Sequence, residues 1–451
     1  MAAADGVRAR MTDVEKALLG RAPEHDLVPS LDRIAEVCRL LGDPQNAFRA
    51  VHVTGTNGKT STTRMVERLL REHGLRTGRF TSPHLLEVRE RIAVDGEPLP
   101  AERFVASYDD VLPYVDLVDA RSAASGAPRM TFFEVLVAMA YAAFADAPVD
   151  VAAVEVGMGG AWDATNVLDA RVAVVTPIAL DHQRFLGYDV ASIAGEKAGI
   201  IKPGAVAVLA DQPRAAADVL IRRCAEVGAQ PLREGVEFGV AAREVAVGGQ
   251  LLALQAAGRY DDVFLPLYGE HQARNAACAL AAVEALLGAT GEQGGLDADV
   301  VRAGFADVDS PGRLEVLRGG PTVLVDAAHN PAGAAVLADA LRESFTFTRL
   351  VGVVGVLADK DAEGILGALE PVLDEVVVTR STSPRSIDPQ DLAEVAEDVF
   401  GEDRVHVAAR LDDALDTAIG RAEEGGLVGG GVLATGSITI AADVRRLLHV
   451  R

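Results

Sequence analysis

Short apolar runs alternate with amphipathic stretches along this chain. Residues 51–53, 149–156 and 171–180 have the length and composition of buried strands, and each run ends in glycine or polar residues. Residues 29–42 and 131–145 instead have apolar positions at helical spacing, and the second stretch is apolar nearly all round. Alternation of buried strands with helices predicts an α/β fold whose main sheet is mostly parallel.

The stretch from Val51 to Arg64 places a glycine turn between an apolar strand and a helix. The turn is Thr-Gly-Thr-Asn-Gly at 54–58, and the helix that begins at Lys59 continues through good helix formers. Glycines let backbone N–H groups approach phosphate oxygens, the helix start adds partial positive charge, and a lysine neutralises the transferred phosphoryl group. The usual spacing of such a loop fails, because Val53 stands where its first glycine would be. The shorter Gly-Thr-Asn-Gly-Lys-Thr loop still predicts nucleotide binding.

A second strand–helix series begins near Ser310 and occupies about 140 residues, a usual domain size. We therefore predict a phosphate-loop ATPase domain over residues 1–309 and a smaller, Rossmann-like α/β domain over residues 310–451. Residues 1–26 are predicted to form a mobile arm or a short helix. Residues 119–128 are predicted to form an exposed loop after a helix. The elements predicted after Ser310 are a helix at 334–344, a strand at 350–356, a helix at 364–372, a strand at 375–379, a helix at 389–400, a strand at 431–436 and a final helix.

Acidic residues outnumber basic ones, with 66 Asp plus Glu against 43 Lys plus Arg and a formal net charge of −23. Nucleic-acid binding needs a basic surface, so we predict no nucleic-acid partner. No apolar run is long enough to span a membrane or serve as a signal peptide, which predicts a cytoplasmic protein with no membrane partner. Cys38, Cys224 and Cys278 lack metal-binding spacing and are predicted to be buried.

Polar side chains follow several of the predicted strands. Ser82, Glu155 and His182 come directly after apolar runs, and the carboxyl ends of parallel strands meet at one edge of a sheet. A hydroxyl and a carboxylate beside a triphosphate fit one Mg²⁺, and an imidazole nitrogen suits a second metal site better. Lys197 lies in an otherwise apolar helix predicted over 191–204, so we expect it to be either paired with an acid or chemically modified.

The helix predicted at 131–145 begins with Thr-Phe-Phe-Glu. Phe132 and Phe133 fit core packing as well as they fit ligand binding. Glu134 is more informative, because a carboxylate at a buried helix start needs a partner.

Nine motifs occur in order from about residue 28 to the C-terminus: GTNGKTS, SPHL…RERI, TFFE, EVGMGG-x-WDATN, LDH-x-x-x-LG, EKAGIIK, HQ-x-x-N, PGR and DAAHNP. Together they resemble the folylpolyglutamate synthase/dihydrofolate synthase family of the Mur ligase superfamily, in its bifunctional, actinobacterial form. One position departs from the family pattern, because the arginine that usually follows GMGG is Ala161 here. The departure bears on substrate identity more than on the fold.

The resemblance implies ATP and two Mg²⁺ ions as cofactors, and leaves a monovalent cation open. Ser82 and Glu155 would hold the first Mg²⁺ and His182 the second, which a carbamylated Lys197 would support. Four residues would be catalytic: Lys59, Lys197, His182 and Glu155. The implied nucleotide-binding residues are Thr56, Asn57, Gly58, Lys59, Thr60, Ser61, Asn275, Arg313 and Asp326.

The resemblance also implies a pterin or folate site and a glutamate site. His329 would contact the incoming glutamate, although a structural histidine is equally compatible with the sequence. The implied pterin-site residues are Thr131, Phe132, Phe133, Glu134, Trp162, Asp163 and Ala164.

The implied reaction is ATP-dependent amide formation. A carboxylate of dihydropteroate or of a folyl-glutamate attacks the γ-phosphorus of ATP, and the amine of L-glutamate then attacks the acyl phosphate. No protein nucleophile is required, which agrees with the lack of a nucleophile–base signature. The implied partners are therefore ATP, dihydropteroate or folate, and L-glutamate, with the chain acting as a monomer.

Four other functions can be weighed against this one. A cell-wall amide ligase of the superfamily carries a separate domain before the phosphate loop, and only about 50 residues precede it here, at the bottom of domain size. A nucleotide-switched binding protein has no use for metal ligands on three strands. A dinucleotide oxidoreductase would need a Gly-x-Gly-x-x-Gly motif in the second domain, which is lacking. A related ligase that glutamylates another pterin-like metabolite remains open.

Overall fold

The computed structural model describes residues 2–23, 29–289, 294–424 and 429–450. The chain divides into two compact units, each made of several segments. The first contains Met1–Arg243, Leu252–Leu265 and Ala273–Val308, and the second contains Glu244–Leu251, Pro266–Gln272 and Asp309–Arg451.

Helices and strands alternate through most of the described chain. The helices are α1 (Ala2–Leu19), α2 (Asp32–Leu40), α3 (Lys59–Glu72), α4 (Ala101–Ala124), α5 (Phe132–Asp146), α6 (Gln183–Leu186), α7 (Val190–Ala198), α8 (Arg214–Val227), α9 (Glu270–Leu287), α10 (Ala298–Ala306), α11 (Pro331–Ser344), α12 (Ala362–Leu369), α13 (Pro389–Phe400), α14 (Leu411–Ala422) and α15 (Ile438–Leu447). The strands are β1 (Arg49–Thr54), β2 (Thr77–Phe80), β3 (Ile92–Val94), β4 (Glu97–Pro98), β5 (Val151–Glu155), β6 (Val172–Val175), β7 (Val206–Leu209), β8 (Gln230–Arg233), β9 (Gly239–Ala246), β10 (Gly249–Gln255), β11 (Arg259–Leu265), β12 (Glu315–Gly319), β13 (Thr322–Val325), β14 (Arg349–Val354), β15 (Glu375–Val378), β16 (Val405–Val407) and β17 (Gly430–Thr435).

The main sheet of the first unit has the strand order β4-β3-β2-β5-β1-β6-β7-β8. Along this order the pairs from β2 to β8 are parallel, and the β2–β3 and β3–β4 pairs are antiparallel. β1 lies between β5 and β6, with Val53 opposite Glu155 and Thr54 opposite Val175. This register brings the loops that follow three strands to one edge of the sheet, beside the glycine turn after β1.

The second unit contains a sheet of order β12-β13-β17-β14-β15-β16, in which only the β12–β13 pair is antiparallel. A third, smaller sheet has the order β11-β10-β9. Two α/β assemblies with mostly parallel sheets confirm the fold class predicted from the alternation of buried strands and helices.

Three local predictions were incomplete or wrong. The region expected to be an arm or short helix forms the 18-residue helix α1, whose Met11, Val14 and Leu18 are buried. Residues 119–124 of the predicted exposed loop extend α4, because alanine favours helix more strongly than the small-residue composition suggested. The sequence pattern also missed the strand β16 and the helix α14. β16 has only three residues, Val405–Val407, which is too short to give a periodic signal.

None of the helices in the described ranges is long and apolar enough to cross a membrane. Cys38, Cys224 and Cys278 are all buried free thiols, as the sequence predicted.

A close contact inside the first unit makes one strand glycine necessary. Gly78 lies in β2, and a Cβ there would be 2.8 Å from Cδ1 of Phe144, a fully buried ring of α5. Because a buried ring on a packed helix cannot turn aside freely, an added methyl group must push the helix or the strand.

We expect Gly78→Ala to destabilise the protein by about 1–3 kcal/mol, the usual cost of overpacking a core. The matched control is Gly319→Ala in strand β12, where a Cβ would meet nothing within 4 Å. Thermal unfolding followed by calorimetry should show a lower transition temperature for the first variant alone. Equal transition temperatures for both variants would contradict this packing argument.

Candidate active site

The glycine loop after β1 is shaped by two close contacts. Gly55 has a φ of +145°, and a Cβ there would lie 1.8 Å from Oγ1 of Thr176. Gly58 has a φ of +88°, and a Cβ there would lie 2.6 Å from Oδ1 of Asn275. A side chain at either position would strain the backbone and displace its neighbour, so the loop needs both glycines. Asn275, expected at the nucleotide from the sequence, lies beside this loop.

Threonine side chains fix the loop to the segment that follows β6. Thr56 Oγ1 donates to the carbonyl oxygen of Ala179 at 3.0 Å and accepts from the Ala179 N–H at the same distance. Thr176 Oγ1 donates to the carbonyl oxygen of Asn57 at 2.7 Å. The loop leads directly into α3, whose first N–H groups and dipole give its start partial positive charge. A rigid loop before a helix start suits an anionic ligand.

Two lysines share one carbonyl oxygen of the loop. Lys197 Nζ donates to the Gly55 carbonyl at 2.7 Å, and Lys59 Nζ donates to the same oxygen at 3.2 Å and to the Thr56 carbonyl at 3.0 Å. Lys197 is only 4% exposed. Burial, together with the positive charge of Lys59, lowers the pKa of Lys197 to about 7. Near neutral pH this lysine therefore exists partly as an uncharged amine.

Glu155 brings a carboxylate to the same loop from the end of β5. Thr60 Oγ1, in the first turn of α3, donates to Oε1 of Glu155 at 2.9 Å, and the N–H of Ser82 donates to Oε2 at 3.2 Å. Glu155 is 1% exposed. The structure therefore brings Ser82 and Glu155 together beside the start of α3.

A pocket in the first unit connects the loop with the segment containing His182. Asp181 and His182 follow β6, and His182 has a left-handed backbone with a φ of 49°. Nε2 of His182 lies 3.8 Å from Oδ2 of Asp181. The lining residues are Gly55, Thr56, Lys59, Gly157, Met158, Gly159, Asp181, His182, Leu186 and Lys197.

Glu134 has a structural partner. Its side chain accepts from the N–H of Thr131 at 2.8 Å, while Thr131 Oγ1 accepts from the Glu134 N–H at 3.2 Å, which forms a capping box at the start of α5. Arg33 Nε donates to both carboxylate oxygens, at 3.0 and 3.3 Å. The partner that a buried acid requires is therefore the guanidinium group of Arg33.

The aromatic residues beside Glu134 belong to the core of the first unit. Phe133 packs against Phe80 with 5.7 Å between ring centroids, and the Arg91 guanidinium lies 5.0 Å from the centroid of Phe132. Both phenylalanines are buried within the main hydrophobic cluster. These contacts favour core packing, one of the two interpretations that the sequence left open.

The WDATN segment folds back on the glycine loop that follows β5. Asp163 Oδ2 accepts from the Met158 N–H at 2.9 Å. Trp162 packs at the edge of a second hydrophobic cluster, and Ala164 is buried. Contact of these three residues with a pterin stays a prediction.

Ala161 is exposed, but its backbone is fully used. Its N–H donates to the Glu196 carbonyl at 2.8 Å, and Nδ2 of Asn166 donates to its carbonyl oxygen at 3.0 Å. A Cβ at Gly199 would lie 2.5 Å from the Cβ of Ala161, so α7 can end beside this loop only with glycine there.

The second unit holds the remaining predicted residues. Asp326 follows β13, and its two carboxylate oxygens accept from the N–H groups of Leu314 and Ala328, both at 2.7 Å. Burial raises the pKa of Asp326, and the charge of Arg313 opposes this shift. Nδ1 of His329 lies 2.9 Å from the Ala327 carbonyl oxygen, and because a carbonyl oxygen can only accept, Nδ1 carries a proton.

Sequence reasoning missed two residues that organise the site. Asp181 lines the pocket beside Lys197, and its position directly before His182 was the available signal. Arg33 pairs with Glu134 across 101 residues, and nothing in a single sequence indicates such a pairing.

The chain is similar to known proteins, both over part of its second unit and over nearly its whole length. Residues 312–438 match the family described as "Mur ligase, glutamate ligase domain". Dihydrofolate synthase/folylpolyglutamate synthase of Mycobacterium tuberculosis is 52% identical, over 97% of this chain and 94% of its own.

Solved structures agree with the sequence relatives. Mycobacterium tuberculosis folylpolyglutamate synthase complexed with ADP and AMPPCP superposes with a TM-score of 0.93 at 51% identity, covering 99% of both chains. Escherichia coli FolC in complex with DHPP and ADP superposes with a TM-score of 0.83 at 30% identity, covering 98% of both chains.

The lowered pKa of Lys197 predicts a pH-dependent stability cost. Between about pH 7 and 10.5 the unfolded chain holds the lysine proton that the folded protein gives up, so this cost grows as the pH falls and levels off below about 7. Lys197→Met removes the cost. In CO2-free buffer, the difference in melting temperature between this variant and the wild type should become more positive from pH 10 to about pH 7.

The control for this prediction is Lys16→Met, which changes an exposed lysine of α1. Its melting temperature should follow the wild type across the same pH range. A difference for Lys197→Met that does not change with pH would contradict the lowered pKa.

Proposed function

The chain belongs to the dihydrofolate synthase/folylpolyglutamate synthase family, and from this premise we propose how its side chains perform the ATP-dependent addition of glutamate. The protein is an ATP-dependent ligase for dihydropteroate, folyl-glutamates or both. The observation that carries the proposal is the meeting of Lys59, Lys197 and Glu155 at the loop between β1 and α3. Basic and acidic groups from three distant parts of the chain lie there together, as transfer of a phosphoryl group requires.

The triphosphate binds at the glycine loop. Gly55 and Gly58 allow the positive φ angles of the loop, and the start of α3 directs N–H groups and positive potential toward the ligand. Lys59 lies over the loop carbonyls, from which its flexible side chain can reach a phosphate oxygen. Asn275 borders the same loop and helps to position the nucleotide.

The oxygen donors beside the loop fit Mg²⁺. Glu155 supplies a carboxylate, Thr60 supplies a hydroxyl group that contacts it, and Ser82 lies beside the same carboxylate through its backbone N–H. Mg²⁺ at a nucleotide takes only one or two protein carboxylates and completes its shell with phosphate and water. We assign Glu155 and Ser82 to one ion and His182 to a second. Bound Mg²⁺ neutralises charge on the phosphates.

Lys197 is proposed to react with CO2. The pKa near 7 leaves part of the lysine as a neutral amine, whose lone pair attacks the carbon of CO2 to form a carbamate and release one proton. The product is an anion next to Lys59 and His182 in the same pocket. The modification thus replaces a cation that repels Lys59 with an anion that attracts it.

The chemistry then needs positioning more than it needs a protein nucleophile. A substrate carboxylate oxygen bonds to the γ-phosphorus of ATP while the bond from that phosphorus to ADP breaks. Lys59 offsets the repulsion between the two anions. The glutamate amine next bonds to the acyl carbon, and phosphate leaves. Water must be excluded during this interval, because it would otherwise hydrolyse the acyl phosphate.

His329 is proposed to contact the glutamate substrate. Its Nδ1–H donates to the Ala327 carbonyl oxygen, which fixes the orientation of the ring. Asp326 holds the preceding loop through the N–H groups of Leu314 and Ala328. These contacts hold the imidazole ring in one place, as a polar contact with the glutamate substrate requires.

Folate substrates are favoured over another pterin-like metabolite. Every relative named above is a folate enzyme, and the backbone of Ala161 packs normally without the arginine expected there. The altered side chain leaves the loop geometry intact, so no observation favours the alternative substrate.

Phosphate release tests this function directly. We expect rapid release only when ATP, dihydropteroate and L-glutamate are all present, with a product heavier than dihydropteroate by one glutamyl unit in mass spectrometry. A parallel reaction with a reduced folyl-monoglutamate tests the second activity. Release with ATP alone at the full rate would contradict the ligase and support a nucleotide switch.

Lys197→Ala should lower kcat by roughly 100- to 1,000-fold, because the pocket loses a group that acts on developing charge. The dissociation constant for ATP should change by less than about threefold, since Lys59 and the loop remain. Small carboxylic acids such as acetate should restore part of the rate by occupying the space of the carbamate. Lys16→Ala is the matched control. Near-wild-type turnover of Lys197→Ala would show that the carbamate assignment is wrong.

A further inference from the structure

A buried hydrogen-bonded chain behind the pocket does not enter the chemistry proposed above. We infer that Asp163 is a positioning residue that fixes the loop at 157–160, and that Thr165 and His52 hold Asp163 in place for this task. The inference goes beyond the proposed function and rests on it only for the activity measurement. It differs from the pterin contact that the sequence implied for Asp163.

Both oxygens of Asp163 are occupied by donors from its own segment. Oδ2 accepts from the Met158 N–H at 2.9 Å, and Oδ1 accepts from the Thr165 N–H at 2.9 Å and from the Thr165 hydroxyl. Asp163 is 3% exposed. A buried carboxylate whose two oxygens accept from Met158 on one side and from Thr165 on the other holds these two segments in one arrangement.

The direction of the hydrogen bonds can be followed back to β1. The Thr165 hydroxyl proton points to Asp163, so the Thr165 oxygen must accept from its other neighbour, Nε2 of His52 at 2.8 Å. His52 is fully buried, and burial with the nearby charge of Lys202 lowers its pKa to about 3. It therefore stays neutral and carries its proton on Nε2.

A second contact fixes the Thr165 backbone from another side. Tyr141 in α5 donates its hydroxyl proton to the Thr165 carbonyl oxygen at 2.8 Å. Elements α5 and β1 thus hold Thr165 between them. This leaves one arrangement in which the hydroxyl can serve both His52 and Asp163.

The loop that this chain holds is a wall of the lysine pocket. Residues 157–159 line the pocket together with Lys59 and Lys197. Thr54, the last residue of β1, donates from Oγ1 to the Gly159 carbonyl at 2.7 Å and holds the other side of the loop. A Cβ at Gly160 would lie 2.9 Å from the Lys197 carbonyl oxygen, so the loop touches the helix that carries the lysine. Displacing the loop must therefore change the surroundings of Lys197.

Three variants test this inference. Asp163→Asn is not conservative here, because its NH2 group must face either the Met158 N–H or the Thr165 donors. Thr165→Val removes the hydroxyl at nearly constant shape, and Thr165→Ser keeps it. We expect kcat to fall by about 10- to 100-fold in Asp163→Asn and Thr165→Val, the scale that a misplaced active-site wall produces. Thr165→Ser should stay within about threefold of the wild type.

The KM for dihydropteroate separates positioning from substrate binding. The positioning role predicts a KM within about threefold of the wild type in all three variants. A pterin contact would instead raise the KM in Asp163→Asn and leave Thr165→Val like the wild type. That second pattern would overturn the inference.

Hydrogen exchange gives a measurement that does not depend on ligase activity. Amide exchange in a peptide covering residues 157–160 should be faster in Thr165→Val than in the wild type, and unchanged in Thr165→Ser. If the wild-type protein proved inactive, the proposed function would fail while this comparison still decided the inference. If Asp163→Asn does not fold, the two Thr165 variants suffice. Wild-type exchange and wild-type kcat in Thr165→Val would refute the role of the buried chain.

Discussion

Two lysine side chains meet at one backbone carbonyl, and much of the site can be understood from that constraint. Lys59 and Lys197 both donate to the Gly55 oxygen, so two amino groups that are normally positively charged lie close together. Such proximity costs free energy unless one of them loses its proton or an anion arrives. The protein thus holds a lysine whose protonation is easily changed next to the loop where polyanionic ATP is proposed to bind.

Buried acids in both units act mainly on the backbone. Glu155 accepts from the Ser82 N–H, Asp163 from the Met158 N–H, and Asp326 in the second unit accepts from two loop N–H groups. All three carboxylates are buried, with Glu155 at the end of β5 and Asp326 directly after β13. A negatively charged side chain that satisfies several N–H groups gives a loop one fixed shape. In both units, therefore, buried acids determine where the loops at the sheet edge lie.

The sequence contained enough information to predict the fold class and the centre of the site. Hydrophobic runs located β1, β5 and β6, and their parallel arrangement brought Ser82, Glu155 and His182 to the edge that carries the glycine loop. The glycine turn and the helix formers after it likewise placed the start of α3 correctly at Lys59.

The sequence could not reveal how polar groups pair across long separations. Arg33 and Glu134 are 101 residues apart, and His52 and Thr165 are 113 residues apart. Each of these residues could pair with several polar groups elsewhere in the chain, and only tertiary packing selects its partner. Phe132 and Phe133 were ambiguous for a related reason, since an aromatic pair at a helix start serves a core or a ligand with the same spacing.

Ala161 and Gly199 lie close together but differ in how much side-chain variation they tolerate. The backbone of residue 161 is held on both sides while its side chain projects outward, and Gly199 has no space for any side chain at all. Residue 161 can therefore vary among relatives without disturbing the scaffold, whereas Gly199 cannot. A single substitution at residue 161 can therefore change the side chain exposed at this point, while the end of α7 keeps its position.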